Sequence, residues 1–275
     1  AAGASVLTSL GVQEAFGSPK KSDLEKLMES QMRYAVVISD ETSKLDGWAD
    51  IPNALQKKYS GQTRTFGRDK DLTARLREYA PTHIAWIATP EEADQSSVNK
   101  FNKLSIGISN SSFPVAIYGV VTGLTPEDAL RIATADNLDI RTALLKSHDD
   151  MLAWLESGTY FSEMVQGRKL VKRDGKMAEE KGPEDCTEEF SRILATENPQ
   201  LIITSGHADF NLWQSGYQFE DMVLKATKNG KLIATDTNGK EVEISSRNPK
   251  VYYGPGNCLI GRLEDGHGMA TSWIH

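Results

Sequence analysis

Short apolar runs alternating with amphipathic stretches constrain this chain more than any other feature. Residues 34–39 (YAVVIS), 83–88 (HIAWIA), 113–123 (FPVAIYGVVTG) and 201–210 (LIITSGHADF) are continuous rather than alternating in hydrophobicity. Runs of that kind suit strands buried on both faces. Residues 62–66 (QTRTF) supply one more strand. Between the strands lie helical patterns at 51–60, 71–80, 96–109, 125–137 and 189–200. The second places Leu72, Leu76 and Tyr79 on one face and stops before Pro81. The fourth opens Thr125-Pro126-Glu127-Asp128, a capping threonine, a proline at the first helical position and acid in the first turn. Strand–helix alternation predicts an α/β fold with a mostly parallel sheet covered by helices.

Two departures from the rhythm stand out. Asn238-Gly239 between two alternating stretches predicts a β-hairpin. Residues 167–189 are charge-rich with few large apolar groups, and read as an exposed connection in which Cys186 is incidental.

The 275 residues suffice for a full core. A net charge of −7 argues against nucleic acid as a partner, because phosphate binding needs a basic face. No apolar run approaches the ~18 residues that span a bilayer, so no membrane span is expected. Two cysteines make no disulfide framework and lack zinc-ligand spacing, so no metal or cofactor is expected from the residues themselves. Residues 1–11 (AAGASVLTSLG) read either as the tail of an export signal or as a short N-terminal helix. The first reading predicts a periplasmic or secreted protein. Residues 1–30 then form a leader remnant and extension, and 31–275 one domain. Residues 266–275 (GHGMATSWIH) read as the opening of an amphipathic helix without a stop signal.

Two segments share one grammar. In LIITSGHA an apolar strand runs into Gly206 and then His207; in VYYGPGNC a strand read as buried runs into a Gly-Pro-Gly corner and then Cys258. Parallel neighbours in one sheet would deliver both side chains to its carboxyl edge, where open α/β folds place their sites. A thiolate is the nucleophile, and an imidazole can take its proton or protonate a leaving amine. Glycines let backbone N–H groups approach a developing oxyanion, with Gly206, Ala208, Gly256 and the Cys258 N–H as candidates.

Ordered His-then-Cys at two strand ends resembles the caspase-like cysteine peptidases, the clan of caspases, legumains and gingipains. GNCLIG followed by GMATSW, and the upstream YGVVTGLTPEDALRIA, are most similar to the gingipain type. The resemblance implies a caspase-like three-layer sandwich with a β-hairpin insertion over 31–275. It implies hydrolysis of peptide or protein substrates through a Cys258 thioester, with His207 as general acid/base, and leaves a structural calcium open. The family pattern has glycine where this chain has Ala208. Asp209 and Asp136 are candidates for an orienting carboxylate, and either is as readily a surface or capping group. Trp213 is a candidate apolar wall of the substrate pocket, or else a packing residue; Asp209 or Glu220 would favour basic substrates. His267, close after Cys258, is an alternative base. Two further readings stay open: a silent caspase-like binding module, which Ala208 favours, and a thiol-dependent amidase or acyl transferase. The sequence gives no oligomeric state.

Overall fold

The computed structural model of the chain describes residues 32–59, 63–109, 112–136, 138–216, 218–244, 249–263 and 267–275. The proposed leader, residues 1–30, lies outside them. The first part runs β1 (Tyr34–Ile38), α1 (Asp40–Ser43), α2 (Asp50–Lys58), β2 (Thr63–Gly67), α3 (Leu72–Tyr79), β3 (His83–Ile87), α4 (Gln95–Gly107), β4 (Ile117–Val121) and α5 (Pro126–Thr134). Its four strands form a parallel sheet in the order β2-β1-β3-β4. Alternate residues of these strands feed two cores, one on each face. Val37, Phe66, Ile84 and Trp86 pack with Leu72, Leu76 and Phe101 from α3 and α4. Val36, Ile38, Ala85 and Ile87 pack with Ile51, Leu55, Ala129 and Ala133 from α2 and α5. Helix, sheet and helix therefore make three layers, and the continuous apolar runs follow from burial on both sides. The run at 113–123 yields strand only from Ile117, and Phe113 is exposed.

The second part contains β5 (Thr142–Ser147), β6 (Ser157–Ser162), β7 (Arg168–Arg173), β8 (Lys176–Lys181), α6 (Thr187–Thr196), β9 (Leu201–Thr204), β10 (His207–Asp209), β11 (Leu212–Gln214), β12 (Val223–Ala226), β13 (Leu232–Thr235), β14 (Glu241–Ile244), β15 (Val251–Tyr253) and α7 (Met269–Ile274). A six-stranded sheet has the order β15-β9-β5-β6-β7-β8; its first four strands are parallel and the last two antiparallel. A five-stranded antiparallel sheet, β10 to β14 in sequence order, is inserted between β9 and β15. It packs with α6 on one face of the six-stranded sheet, around Phe190, Leu194, Ile202, Trp213 and Leu224. The Asn238-Gly239 hairpin is present as β13–β14, with Gly239 at φ +80°. It belongs to a whole sheet rather than standing as a single hairpin insertion.

Residues 167–189 are not a loose connection. Residues 168–181 form the β7–β8 hairpin, whose turn residues Asp174 and Gly175 both have positive φ, and residues 187–189 open α6. Leu170 and Val171 are both buried, on opposite faces of the strand, while Lys169 pairs with Glu180 at 2.8 Å and Glu189 at 3.0 Å. Cys186 is buried at the start of α6, and burial pushes its thiol well above the ordinary range. Among the described residues no helix is long and apolar enough to cross a membrane.

Candidate functional site

β9 and β15 are parallel neighbours, with Leu201 opposite Val251 and Ile203 opposite Tyr253. The chain therefore leaves both strands at the same edge, and His207 and Cys258 lie on the two segments that emerge there. β15 is the outermost strand, with Val251 and Tyr253 exposed, so the expectation of a buried strand is corrected. Among the described residues it has a neighbouring strand on one side only, and its inward residue Tyr252 stacks on Trp273 of α7 at 5.1 Å.

After β9 the chain turns at Ser205-Gly206 into the β10–β11 hairpin. Gly206 has φ +107°, and a Cβ there would lie 2.7 Å from the Gln214 carbonyl oxygen and 3.2 Å from Glu163 Oε1. Only glycine takes this backbone at such close quarters without strain. The strand alternation then exposes His207 and Asp209 while Ala208 packs toward the core beside Trp213. Ala208 lies in a strand with no positive φ, so its methyl group imposes no backbone strain. The glycine that this corner needs precedes the histidine.

After β15, residues 254–257 form a tight turn closed by the Asn257 N–H donating to the Gly254 carbonyl at 3.2 Å. Gly256 has φ +77°, and a Cβ on Gly254 would meet Asn257 Oδ1 at 2.5 Å. Cys258 follows on the surface, exposed, and Leu259 after it has φ +53°. Asn257 joins the two loops: its Nδ2 donates to the Gly206 carbonyl at 3.1 Å, and its Oδ1 accepts from Thr204 Oγ1 at 2.9 Å. Thr204 Oγ1 also meets the Tyr252 hydroxyl at 2.5 Å, and burial raises that phenol. The residue before the cysteine thus holds the residue before the histidine.

Trp213 is fully buried, and its indole N–H donates to the Ser205 carbonyl at 2.6 Å. It offers no surface to a substrate, which corrects its candidacy as a pocket wall. It faces the core because it sits opposite Ala208, on the inward face of the hairpin. Asp209 accepts from the Phe210 N–H at 2.7 Å and caps the hairpin turn. Asp136 is exposed beyond the end of α5, just before β5 starts. The chain from Asp136 leads into the amino end of β5, whereas His207 follows the carboxyl end of β9. Glu220 is exposed. His267 packs edge-on against Phe210 at 5.6 Å, and the Arg262 guanidinium lies over the same ring at 5.6 Å. Phe210 also accepts the Met269 N–H at 2.7 Å, so the hairpin tip docks on the start of α7. Among the described residues no group of three His, Cys, Asp or Glu could hold a metal ion.

Beneath the hairpin lies a buried polar cluster that the sequence analysis missed. Lys146 of β5 pairs with Asp221 at 2.8 Å, both side chains almost wholly buried, and donates to the Ser162 carbonyl at 3.2 Å. Asp221 accepts from Ser215 Oγ and from the Met222 N–H at 2.5 Å. Glu163, just past β6, is fully buried and accepts from Ser205 Oγ and from the Gly216 N–H at 3.1 Å. A lysine inside the apolar stretch TALLKS was the available signal.

The four-stranded sheet has a polar crevice at its own carboxyl edge, about 340 Å³ and lined by Ser39, Glu41, Arg68 and Glu92. Glu92 there accepts from Ser39 at 2.9 Å, Arg68 at 2.8 Å and Thr42. Ser39, Thr42 and Arg68 all converge on Glu92, and the lining includes no thiol or imidazole. No family model matches the chain, nor does any curated protein or solved structure.

Proposed function

We propose that this chain is a caspase-like cysteine endopeptidase of gingipain type, with Cys258 as nucleophile and His207 as general acid/base. The observation that carries the reading is the Asn257–Gly206 hydrogen bond, which links the turn bearing an exposed thiol to the turn bearing an exposed imidazole. In the acylation step Cys258 passes its thiol proton to His207 and its sulfur bonds to the scissile carbonyl carbon. The C–N bond then breaks and the amine leaves with a proton from His207. Water then gives a proton to His207 as its oxygen bonds to the thioester carbonyl; the C–S bond breaks, the acid is freed, and the Cys258 sulfur takes the proton from His207. Backbone N–H groups along Gly206–Ala208 and Gly256–Cys258 are the candidate oxyanion donors, each of a kind worth about 2.7–4 kcal/mol in a hydrolase. On this reading the four-stranded and six-stranded sheets are the two halves of the caspase-like scaffold.

A peptide carrying a thiol-reactive electrophile tests the nucleophile directly. Cys258 is expected to be labelled in the folded protein and Cys186, which is buried, spared. Mapping the adduct by mass spectrometry checks this. A folded protein left unlabelled at Cys258 would favour the silent binding module. Product analysis with an added amine separates hydrolysis from acyl transfer.

A further inference from the structure

The β10–β11 hairpin has two stalks, Ser205-Gly206 leading in and Ser215-Gly216 leading out. Both are tied to the same buried side chain. Glu163 takes the Ser205 hydroxyl on Oε2 and the Gly216 N–H on Oε1, at 3.1 Å for the latter. Ser205 is fixed in turn by its N–H to the Lys146 carbonyl at 3.1 Å, and its Oγ accepts from the His148 N–H at 2.9 Å. The Lys146–Asp221 pair grips the outgoing stalk a second time through Ser215. We infer that Glu163 is the positioning residue for His207, bridging the two stalks of its hairpin from below and so setting where the imidazole stands relative to Cys258. This rests on the peptidase reading for its catalytic consequence, though the bridge itself does not. Glu163 holds the backbone on both sides of His207, and through that backbone it acts.

The bridge needs an acceptor at both oxygens. A proton on Oε1 would face the Gly216 N–H. One on Oε2 would reverse the Ser205 bond and leave that hydroxyl to find another acceptor. The charged groups facing Glu163 are Lys146 from β5 and Asp221 from the segment before β12, with the Tyr252 phenol of β15 and the Cys186 thiol beyond Lys146. Burial is the largest influence and raises the Glu163 carboxyl above its ordinary range, against the pull of Ser205, Gly216 and Lys146. Its proton therefore goes on at a higher pH than an exposed glutamate's, and the bridge weakens as that proton goes on.

The experiment compares wild type, Glu163→Gln and Ser205→Ala. Hydrogen exchange over residues 206–216 is measured by mass spectrometry beside kcat and KM across pH. Glu163→Gln is expected to speed hairpin exchange about tenfold while leaving the β5 and β9 amides unchanged. It should lower kcat by about 10- to 100-fold with KM nearly kept, as a misplaced acid/base would. The wild-type loss of kcat in acid that belongs to Glu163 should vanish from its profile. Ser205→Ala cuts one tie from the hairpin side and should shift exchange the same way, which covers a Glu163 variant that does not fold. Unchanged hairpin exchange in a folded variant, or a pH profile that superimposes on wild type, would overturn the inference. A wild type that cleaves nothing but shows the exchange response sinks the peptidase reading and leaves the bridge standing.

Discussion

At the scale of single residues, Gly206 carries the most constraint for its size. Its φ of +107° and the 2.7 Å approach to the Gln214 carbonyl oxygen leave no room for a side chain. Gly206→Ala is expected to cost about 1–3 kcal/mol for the backbone alone. A lowered denaturation midpoint should be joined by lost cleavage, because the hairpin must shift to relieve the contact. A variant as stable and active as wild type would contradict this. The placing of His207 and Cys258 just past two neighbouring strands could be read from the sequence, because each follows a strand-like run with a glycine one or two positions before it. Asn257 and Glu163 could not be read so, since their roles come from partners 51 and 42 positions away along the chain. Trp213 read as a candidate pocket wall from proximity to His207. Strand alternation decided otherwise, because the residue opposite Ala208 must face the core.

Among elements, α5 was the most legible. Thr125 accepts the Asp128 N–H as the expected capping threonine, and Asp128 answers by accepting the Thr125 N–H, a reciprocity that the structure adds. Asp128 does more than cap. It also accepts from Arg131 at 2.7 Å and from His275 at 3.0 Å, which ties α5 to the end of α7. Burial works against its charge, yet the hydrogen bonds from His275, Arg131 and the Thr125 N–H outweigh it and hold the carboxyl below its usual range. A lowered folded value means a contribution to stability that is present above the ordinary carboxylate range and is lost as pH falls through the folded value. Asp128→Asn should therefore lower the melting temperature at neutral pH, and the gap to wild type should close in acid. A gap independent of pH would show that the charge is not what matters. The β7–β8 hairpin was less legible. Its Asp174-Gly175 turn was written in the sequence, but charged residues on its exposed strands hid the alternation. β10 to β12 were hidden for another reason: strands of three or four residues carry too few positions to show a period.

For the whole molecule, periodicity gave the class of fold, a mixed α/β chain with parallel strands. It did not give the division into a four-stranded and a six-stranded sheet, because strand order is set by packing between distant segments. α7 helps join the two parts: Ala270 packs against the four-stranded sheet's core and Met269 against that of the six-stranded sheet. Arg131 of α5 adds hydrogen bonds to the carbonyls of Ile274 and His275. The start of α7 in turn holds the hairpin tip at Phe210, so the packing of the two parts bears on where His207 stands. What the carboxyl edge of the six-stranded sheet does is the central claim, and one comparison tests it most directly. A mixed peptide library is incubated with folded wild type and with Cys258→Ala, and the products are read by mass spectrometry. Cuts made by the wild type and absent from the variant are the expected result, and their sequences would reveal the specificity. The same cuts from both proteins, or none from the wild type, would contradict a Cys258 peptidase.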